Sequence, residues 1–502
     1  MEFEFIGRQQ ELRRMDDLWN RKTAQFLVLY GRRRVGKTAL LVEWIRRSHN
    51  RALYWVASPT SLAAQLRDFS QAIYSFSHPD VQVPEHFTYA TWKQAFEEIA
   101  TLAQEQRLAL FIDEFTFLLE VNPGIAGELQ NLWDHRLSHT NLFLCLSGSH
   151  LGMMKREFLS YQAPLYGRAS AQIYLKPFFF GQTKLFFPKY SAVDRVAIYS
   201  IFGGVPAYWM QIDQSKSVSQ TIKRELLTPN NLMQAEPRLL LQDFISATHN
   251  YISILSAIAN GAHTIKEISQ EAGIPNVNPP KYLAVLTDAG FVERRVPVTN
   301  IGPSREGRYH ITDPYLRFYF RFLVGRQAQI ALGVQEQALA EITRHMIDFI
   351  GTYTWEEICR EWVLRAGAAG ILPYLPDEVG SAWNSKAQVD VVGINTMEKT
   401  IILGECKWLL KPADRKVMAE LVEEKASLII PTKGNWKVFF LGFSRSGWTS
   451  GSLAYQDEIN RNPVKGENWV STGMQLIDLE RLDREMNELT NGVPKYYGEI
   501  EI

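Results

Sequence analysis

The chain has 502 residues, with 54 basic and 54 acidic side chains, 10 histidines and no formal net charge. Hydrophobic residues at 46% and charged residues at 22% exclude a disordered chain, and the charge balance excludes a generally polycationic one. Three scattered cysteines, Cys145, Cys359 and Cys406, exclude a disulfide framework and a Cys-rich zinc site.

At roughly 150 residues per domain, the length predicts about three domains. The first residues lack a basic, apolar leader, and no apolar run approaches the roughly 20 residues of a membrane span. The expectation is a soluble, cytoplasmic protein without a membrane partner. Over residues 1–180, Gln25–Tyr30, Ala52–Val56, Leu108–Ile112, Leu142–Leu146 and Gln172–Leu175 read as buried strands separated by amphipathic helices. Continuous rather than alternating apolar strands predict a mainly parallel sheet covered on both faces, an α/β core. Residues 181–245 read as a helical lid, interrupted at Gly203-Gly204-Val205-Pro206.

Residues 246–300 change pattern. Tyr251–Ala259, Thr264–Ala272 and Pro279–Ala289 read as helices, with Thr264 and Glu267 as a capping box and Gly273-Ile274-Pro275 as a turn. Phe291–Val298 reads as a strand entering a wing, which completes a winged helix-turn-helix pattern. Residues 301–350 form an aromatic-basic bridge, 351–455 a further α/β domain, and 456–502 an extension with an acidic tail at Glu499 and Glu501.

Gly31-Arg32-Arg33-Arg34-Val35-Gly36-Lys37-Thr38-Ala39 carries GxxxxGK[ST] between a strand and a helix, the context in which this loop cradles phosphates. Lys37 is expected to reach the β- and γ-phosphates of ATP, and Thr38 to bind Mg²⁺. Leu108–Ile112 runs into Asp113 and Glu114, expected to hold the Mg²⁺ shell and to orient the attacking water. Ser147, after the next strand, either places a hydroxyl beside the γ-phosphate or caps a helix.

These residues resemble the archaeal-type ATPase family of STAND/AAA-like P-loop ATPases. The resemblance includes Phe5-Ile6-Gly7-Arg8-Gln9-Gln10-Glu11, Ser147-Gly148-Ser149-His150, Pro164-Leu165-Tyr166-Gly167-Arg168 and Gly204-Val205-Pro206. It implies that Gly7 and Arg8 lie near the adenine and that the Gly-Val-Pro segment couples nucleotide state to the winged helix. Arg168 is then either a phosphate-sensing arginine or half of a structural ion pair.

Further on, Asp390 lies on one apolar stretch and Glu405-Cys406-Lys407 on the next, the arrangement of the PD-(D/E)xK nucleases. Residues two apart on a strand share a face, so Glu405 and Lys407 project together. Asp390 and Glu405 are expected to share Mg²⁺, Lys407 to stabilise the hydroxide or phosphorane charge, and Glu357 to add a carboxylate. The stretch also resembles the restriction-endonuclease-like domain that accompanies this ATPase family, entered at Asp313–Phe318. Pro376-Asp377-Glu378 reads as a turn outside the site.

Residues 281–326 hold eight Lys/Arg against four Asp/Glu, with Arg294, Arg295, Arg305 and Arg308 clustered where a wing would meet DNA. Arg317 and Arg321 read as the basic solvent face of a packed helix. The expectation is an ATPase acting on DNA whose nucleotide state controls a Mg²⁺-dependent nuclease. The alternative is a nucleotide-gated switch whose C-terminal domain binds DNA or protein without cutting, and self-association stays open.

Overall fold

Five apolar runs become strands because each fills its two faces with buried side chains. In the computed structural model, which describes residues 5–242, 248–273, 279–300, 302, 304 and 306–491, these are β1 (Gln25–Tyr30), β2 (Ala52–Val56), β3 (Leu108–Asp113), β4 (Leu142–Gly148) and β5 (Ala171–Tyr174). They form one parallel sheet in the order β2-β3-β4-β1-β5. Every residue of β3 and β4 is buried, as expected for central strands covered by helices on both sides. In register, Tyr30 pairs with Gly148 and Tyr174, and Val56 with Asp113, so the carboxyl ends of all five strands meet at one edge. Such an edge is where open α/β sheets place their ligands.

The chain forms two compact units. The first holds residues up to Pro177 with Val205–Ala207 and Asp288–Gly290; the second holds Phe178–Gly204, Tyr208–Thr287 and the chain from Phe291 on.

The second unit begins with helices, among them Ala192–Phe202 and Val218–Leu226, each started by a serine whose hydroxyl accepts from the backbone three residues on. Three helices follow, Thr248–Ala259, Ile265–Glu271 and Pro279–Asp288. Thr264 and Glu267 form the expected capping box, while Ile274 and Pro275 of the expected turn lie outside the described residues. After them, β6 (Val292–Arg295) pairs antiparallel with β7 (Arg308–Ile311). The second strand of this hairpin thus falls in the stretch 301–350 that was expected to be a bridge.

The C-terminal sheet runs β12-β11-β10-β9-β8, with β8 (Glu378–Trp383), β9 (Gln388–Asn395), β10 (Thr400–Lys407), β11 (Trp436–Ser444) and β12 (Trp469–Asp478). The first three are antiparallel neighbours and the last three parallel ones. Residues 456–502 are therefore no mere extension: they supply β12 and the helix Leu479–Asn491, and a boundary at 455 cuts the helix Ser450–Arg461. Glu499 and Glu501 lie outside the described residues.

The hairpin leans on this sheet. Val298 N donates to Ser381 O at 3.1 Å, Trp383 Nε1 to Glu306 O at 3.1 Å, and Arg308 Nη1 to Gln388 Oε1 at 2.9 Å. The Arg308 guanidinium also stands 4.5 Å over the Trp383 ring.

Candidate functional site

At the carboxyl edge of the N-terminal sheet, β1 turns into the helix Lys37–Ser48 through the loop 31–36. Gly31 is required by close approach, because a Cβ there would lie 2.4 Å from Leu175 O. Gly36 adopts φ +96°, and a Cβ on it would meet nothing within 4 Å, so the cradle above the loop is open. The buried Lys37 folds back into this cradle. Its Nζ donates to Gly31 O at 3.0 Å, Arg32 O at 3.2 Å and Ser149 Oγ at 2.7 Å. Burial lowers its pKa, Glu114 and Asp113 oppose that shift, and Arg33 adds to it. Three donors aimed at neutral acceptors are what a phosphate would take over, so the loop fits a nucleotide.

Asp113, buried at the end of β3, is fully engaged. Oδ2 accepts from Thr38 Oγ1 at 2.6 Å and from Tyr54 OH at 2.8 Å; Oδ1 accepts from Glu114 N at 3.0 Å and from the Ser147 hydroxyl. Ser147 therefore supports Asp113, rather than facing a phosphate or capping a helix. The hydroxyl that reaches Lys37 is that of Ser149: it accepts from Lys37 and donates to Glu114 Oε1 at 2.6 Å. Glu114 sits at φ +51°, which turns its carboxylate toward that hydroxyl. The signal for Ser149 was its place in Ser147-Gly148-Ser149, and that for Tyr54 its place on the strand beside β3.

The remaining loop positions are varied. Val35 is buried, with its carbonyl accepting from Arg8 Nη2 at 3.1 Å; Arg34 is exposed at φ +67°, and Thr38 and Ala39 open to solvent. Arg8 follows Gly7 in a left-handed turn, pairs with Glu11 and donates to Lys176 O at 2.7 Å, thereby bracing the loop against the chain leaving β5. Arg168 does not point to the loop. It forms a two-pronged pair with Asp134, at 2.8 and 2.7 Å, which is the structural alternative.

In the C-terminal sheet, Gly404 pairs with Val391, so Glu405 and Asp390 follow at adjoining ends of β10 and β9. Asp390 Oδ2 accepts from Cys406 N at 3.1 Å. Glu405 is 2% exposed, and its two oxygens accept from Lys407 Nζ at 3.0 Å and Lys425 Nζ at 2.6 Å. A third carboxylate faces this pair, but it is Glu356 and not Glu357. Burial, with Asp390 adding to it, pushes Glu356 up to about 8, while Arg360 opposes the shift from 3.2 Å. Burial and Glu405 likewise push Asp390 up to about 6.

Glu357 turns away from the site. It accepts from Arg295 Nη2 at 2.9 Å and from Arg317 Nη2 at 3.0 Å; against the upward push of burial, Arg317, Arg295 and Arg360 pull it down to about 2. Neighbours on a helix lie about 100° apart, so only one of two consecutive glutamates can face the sheet end. Asp377 lies elsewhere too, accepting from Asn395 Nδ2 at 3.2 Å.

Most of the basic cluster is spent inside the second unit. Arg295 and Arg317 hold Glu357, Arg308 lies on Trp383, and Arg321 donates to Asn260 Oδ1 at 2.8 Å. Arg317, expected on a solvent face, is 3% exposed. Arg294 and Lys281 are exposed, and Arg305 lies outside the described residues.

Residues 5–212 match a family described as an ATPase domain predominantly from Archaea. That stretch carries the ATPase domain of this archaeal family. Residues 319–418 match a second family, of archaeal and bacterial proteins of unknown function. An uncharacterized protein of Methanocaldococcus jannaschii is 27% identical over 426 residues, 85% of this chain and 92% of that one. Among solved structures, a Walker-type ATPase of Pyrococcus abyssi is similar at 17% identity and TM-score 0.49, covering 63% of this chain and 96% of its own. The ORC2 protein of Aeropyrum pernix is similar at 13% identity and TM-score 0.42, over 67% and 96%.

No helix among the described residues is long and apolar enough to cross a membrane. Thr38 and Asp113 are hard oxygen donors of the kind Mg²⁺ takes beside phosphates, and they fit that ion. Glu356, Asp390 and Glu405 form a second all-oxygen donor set, although among the described residues no three acidic, His or Cys side chains are arranged as a ready cage.

The C-terminal carboxylates predict a pH dependence. With Glu356 raised from 4.5 to about 8 and Asp390 from 3.8 to about 6, the folded state binds more protons than the unfolded one across that window. Their stabilising contribution is complete below about pH 4 and is lost as pH rises toward 8, by at most about 1.4 kcal/mol per pH unit and group. Urea unfolding without divalent ions should show the decline, and Glu356→Gln should remove the part between pH 6 and 8. An unchanged slope in that variant would exclude the burial of Glu356 as its source.

Proposed function

We propose that the protein binds and hydrolyses ATP with Mg²⁺ at the N-terminal site, and that the nucleotide state governs a metal-dependent nuclease acting on DNA at the C-terminal site. The observation that carries the first half is the Lys37–Ser149–Glu114 chain beside Thr38 and Asp113. The loop amides and Lys37 bind phosphate, Thr38 and Asp113 hold Mg²⁺, which supplies charge neutralisation, and Glu114 orients the attacking water. Ser149 keeps Lys37 and Glu114 in register and hands its contacts to the γ-phosphate when nucleotide enters.

The second half is supported by the convergence of Glu356, Asp390, Glu405 and Lys407 at one sheet end, in the chain order helix, strand, strand. The three carboxylates would hold the metal, which supplies Lewis-acid polarisation of the scissile phosphate; Lys407 would sit against the developing negative charge. Helices Thr248–Ala259, Ile265–Glu271 and Pro279–Asp288 with the β6–β7 hairpin read as a winged helix, but its basic side chains are largely occupied. Exposed Lys411 and Lys416, on the segment leaving β10, are better placed to meet a DNA backbone.

A second reading, a nucleotide-gated switch that binds DNA without cutting, is favoured by the ion pairs that cover both oxygens of Glu405. Incubation of supercoiled plasmid with Mg²⁺ and ATP decides between them. Cleavage by the native chain, lost in Asp390→Ala and altered in Lys37→Ala, is the expected result. Intact DNA binding with no cleavage in any nucleotide state leaves only the switch.

A further inference from the structure

The C-terminal site contains one cation more than its motif calls for. Glu405 is almost wholly buried, and a buried carboxylate needs a partner charge. Lys407 provides one, from two residues along the same strand and face. Lys425 provides another at 2.6 Å, from outside the motif. Both ammoniums also stand close enough to Asp390 to offset its charge.

The two lysines are mounted differently. Lys407 is carried by β10, where its backbone is held in register against Ser444 of β11, two residues from Glu405 on the same face. Lys425 ends the segment Glu420–Lys425, a wide helical turn with i→i+5 hydrogen bonds between the helices Arg415–Ala419 and Ala426–Ile429. Such turns are insertions that recur at functional positions. Its side chain is 27% exposed, so the ammonium has a path from the buried carboxylate to solvent.

We propose that Lys425 is the resident cation of this site: it neutralises Glu405 while no metal is bound and withdraws when a divalent cation binds between Asp390 and Glu405. This rests on the reading of Asp390 and Glu405 as metal ligands. A hard cation needs the Glu405 oxygen that Lys425 occupies, and +2 replacing +1 leaves Lys407 free to keep its own contact. The absence of a ready cage among the described residues is consistent with this, because Glu405 is drawn to two ammoniums, Glu356 to Arg360 and Asp390 to the Cys406 amide rather than to one another. Lys425 thus helps keep the buried Glu405 and its neighbour Asp390 compatible with folding before metal arrives.

The test is Mn²⁺ binding to the nucleotide-free full chain, read from the electron-paramagnetic signal of free Mn²⁺. Lys425→Met and Lys425→Gln should each bind Mn²⁺ about tenfold or more tightly than the native chain, because a competing charge is gone. Lys425→Arg should stay near native, and Asp390→Asn should abolish the tight site in every background. A residue that only props the site would give the opposite sign, so weaker or unchanged Asp390-dependent binding in folded Lys425→Met and Lys425→Gln overturns the proposal. Mn²⁺ binding indifferent to Asp390→Asn would overturn instead the metal-site reading on which it stands. Circular dichroism of each variant separates loss of binding from loss of fold.

Discussion

Glu114→Gln is expected to bind ATP as the native protein does while turning it over about 10²–10⁴-fold more slowly, the range that a positioned general base contributes. Phosphate contacts come from the loop 31–38, which the substitution leaves untouched. Glutamine keeps the shape of the side chain and an oxygen that accepts from the Ser149 hydroxyl, so Lys37 stays where it is. On the proposed role of Glu114, what is lost is the charge that orients and activates the attacking water. Equilibrium nucleotide binding and single-turnover hydrolysis, measured side by side, separate the two effects. Native turnover in Glu114→Gln would move the role to another residue; loss of binding would mean that Glu114 shapes the phosphate cradle.

Glu357→Ala should destabilise the second unit by about 3–5 kcal/mol, the usual cost of removing one partner from a buried ion pair. Two guanidiniums converge on this carboxylate, and Arg317 is 3% exposed. Without Glu357 they face each other; Arg295 keeps Glu293, but the buried Arg317 keeps no carboxylate of the described residues within hydrogen-bond reach, only the Ile311 carbonyl at 3.3 Å and the Tyr353 ring 5.0 Å away. Because Arg295 lies on β6 and Glu357 on the helix Glu356–Ala368, the loss should loosen the hairpin as well as the helix. Urea unfolding followed by tryptophan fluorescence would measure the change, with Trp355 and Trp362 buried close by. The double variant Arg317→Met/Glu357→Met should recover part of the loss, since no buried charge is then left alone on the helix. A shift under about 1 kcal/mol in Glu357→Ala would show that solvent screens the cluster.

The N-terminal site was legible because its chemistry is local. Gly31, Gly36, Lys37 and Thr38 fall within one loop, and Asp113 and Glu114 at one strand end, so spacing alone brought out the residues. Ser149 was harder to single out from Ser147, since both sit at the end of the same apolar run and either hydroxyl has partners within reach. Arg168 illustrates the same difficulty: its surroundings are decided by Asp134, more than thirty positions away in the chain.

The C-terminal carboxylates Asp390 and Glu405 could be matched by strand alternation. Their third companion could not, for a physical reason: the segment Ile350–Trp355 just before Glu356 is a wide i→i+5 turn. An extra residue in a helical turn shifts the phase of all that follows, so regular 3.6-residue counting mistakes which of two adjacent glutamates faces the sheet. The basic region misled differently. Composition counts charges, but Arg295, Arg308 and Arg317 have partners 62, 80 and 40 positions away, and only tertiary packing reveals them.

The strand order of the C-terminal sheet, β12-β11-β10-β9-β8, is the reverse of no rearranged plan: it follows the chain itself from one edge to the other. During synthesis the sheet therefore grows by one strand at a time, and Glu356, Asp390, Glu405, Lys407 and Lys425 all leave the ribosome before β11 begins at Trp436. A nascent chain stopped between those points carries the whole charged cluster on a sheet whose β10 edge, destined for a central position, still offers its backbone to any passing strand. Translational pausing in that interval would leave this edge open to misassembly, with the charges of the site, two lysines among them, at its end.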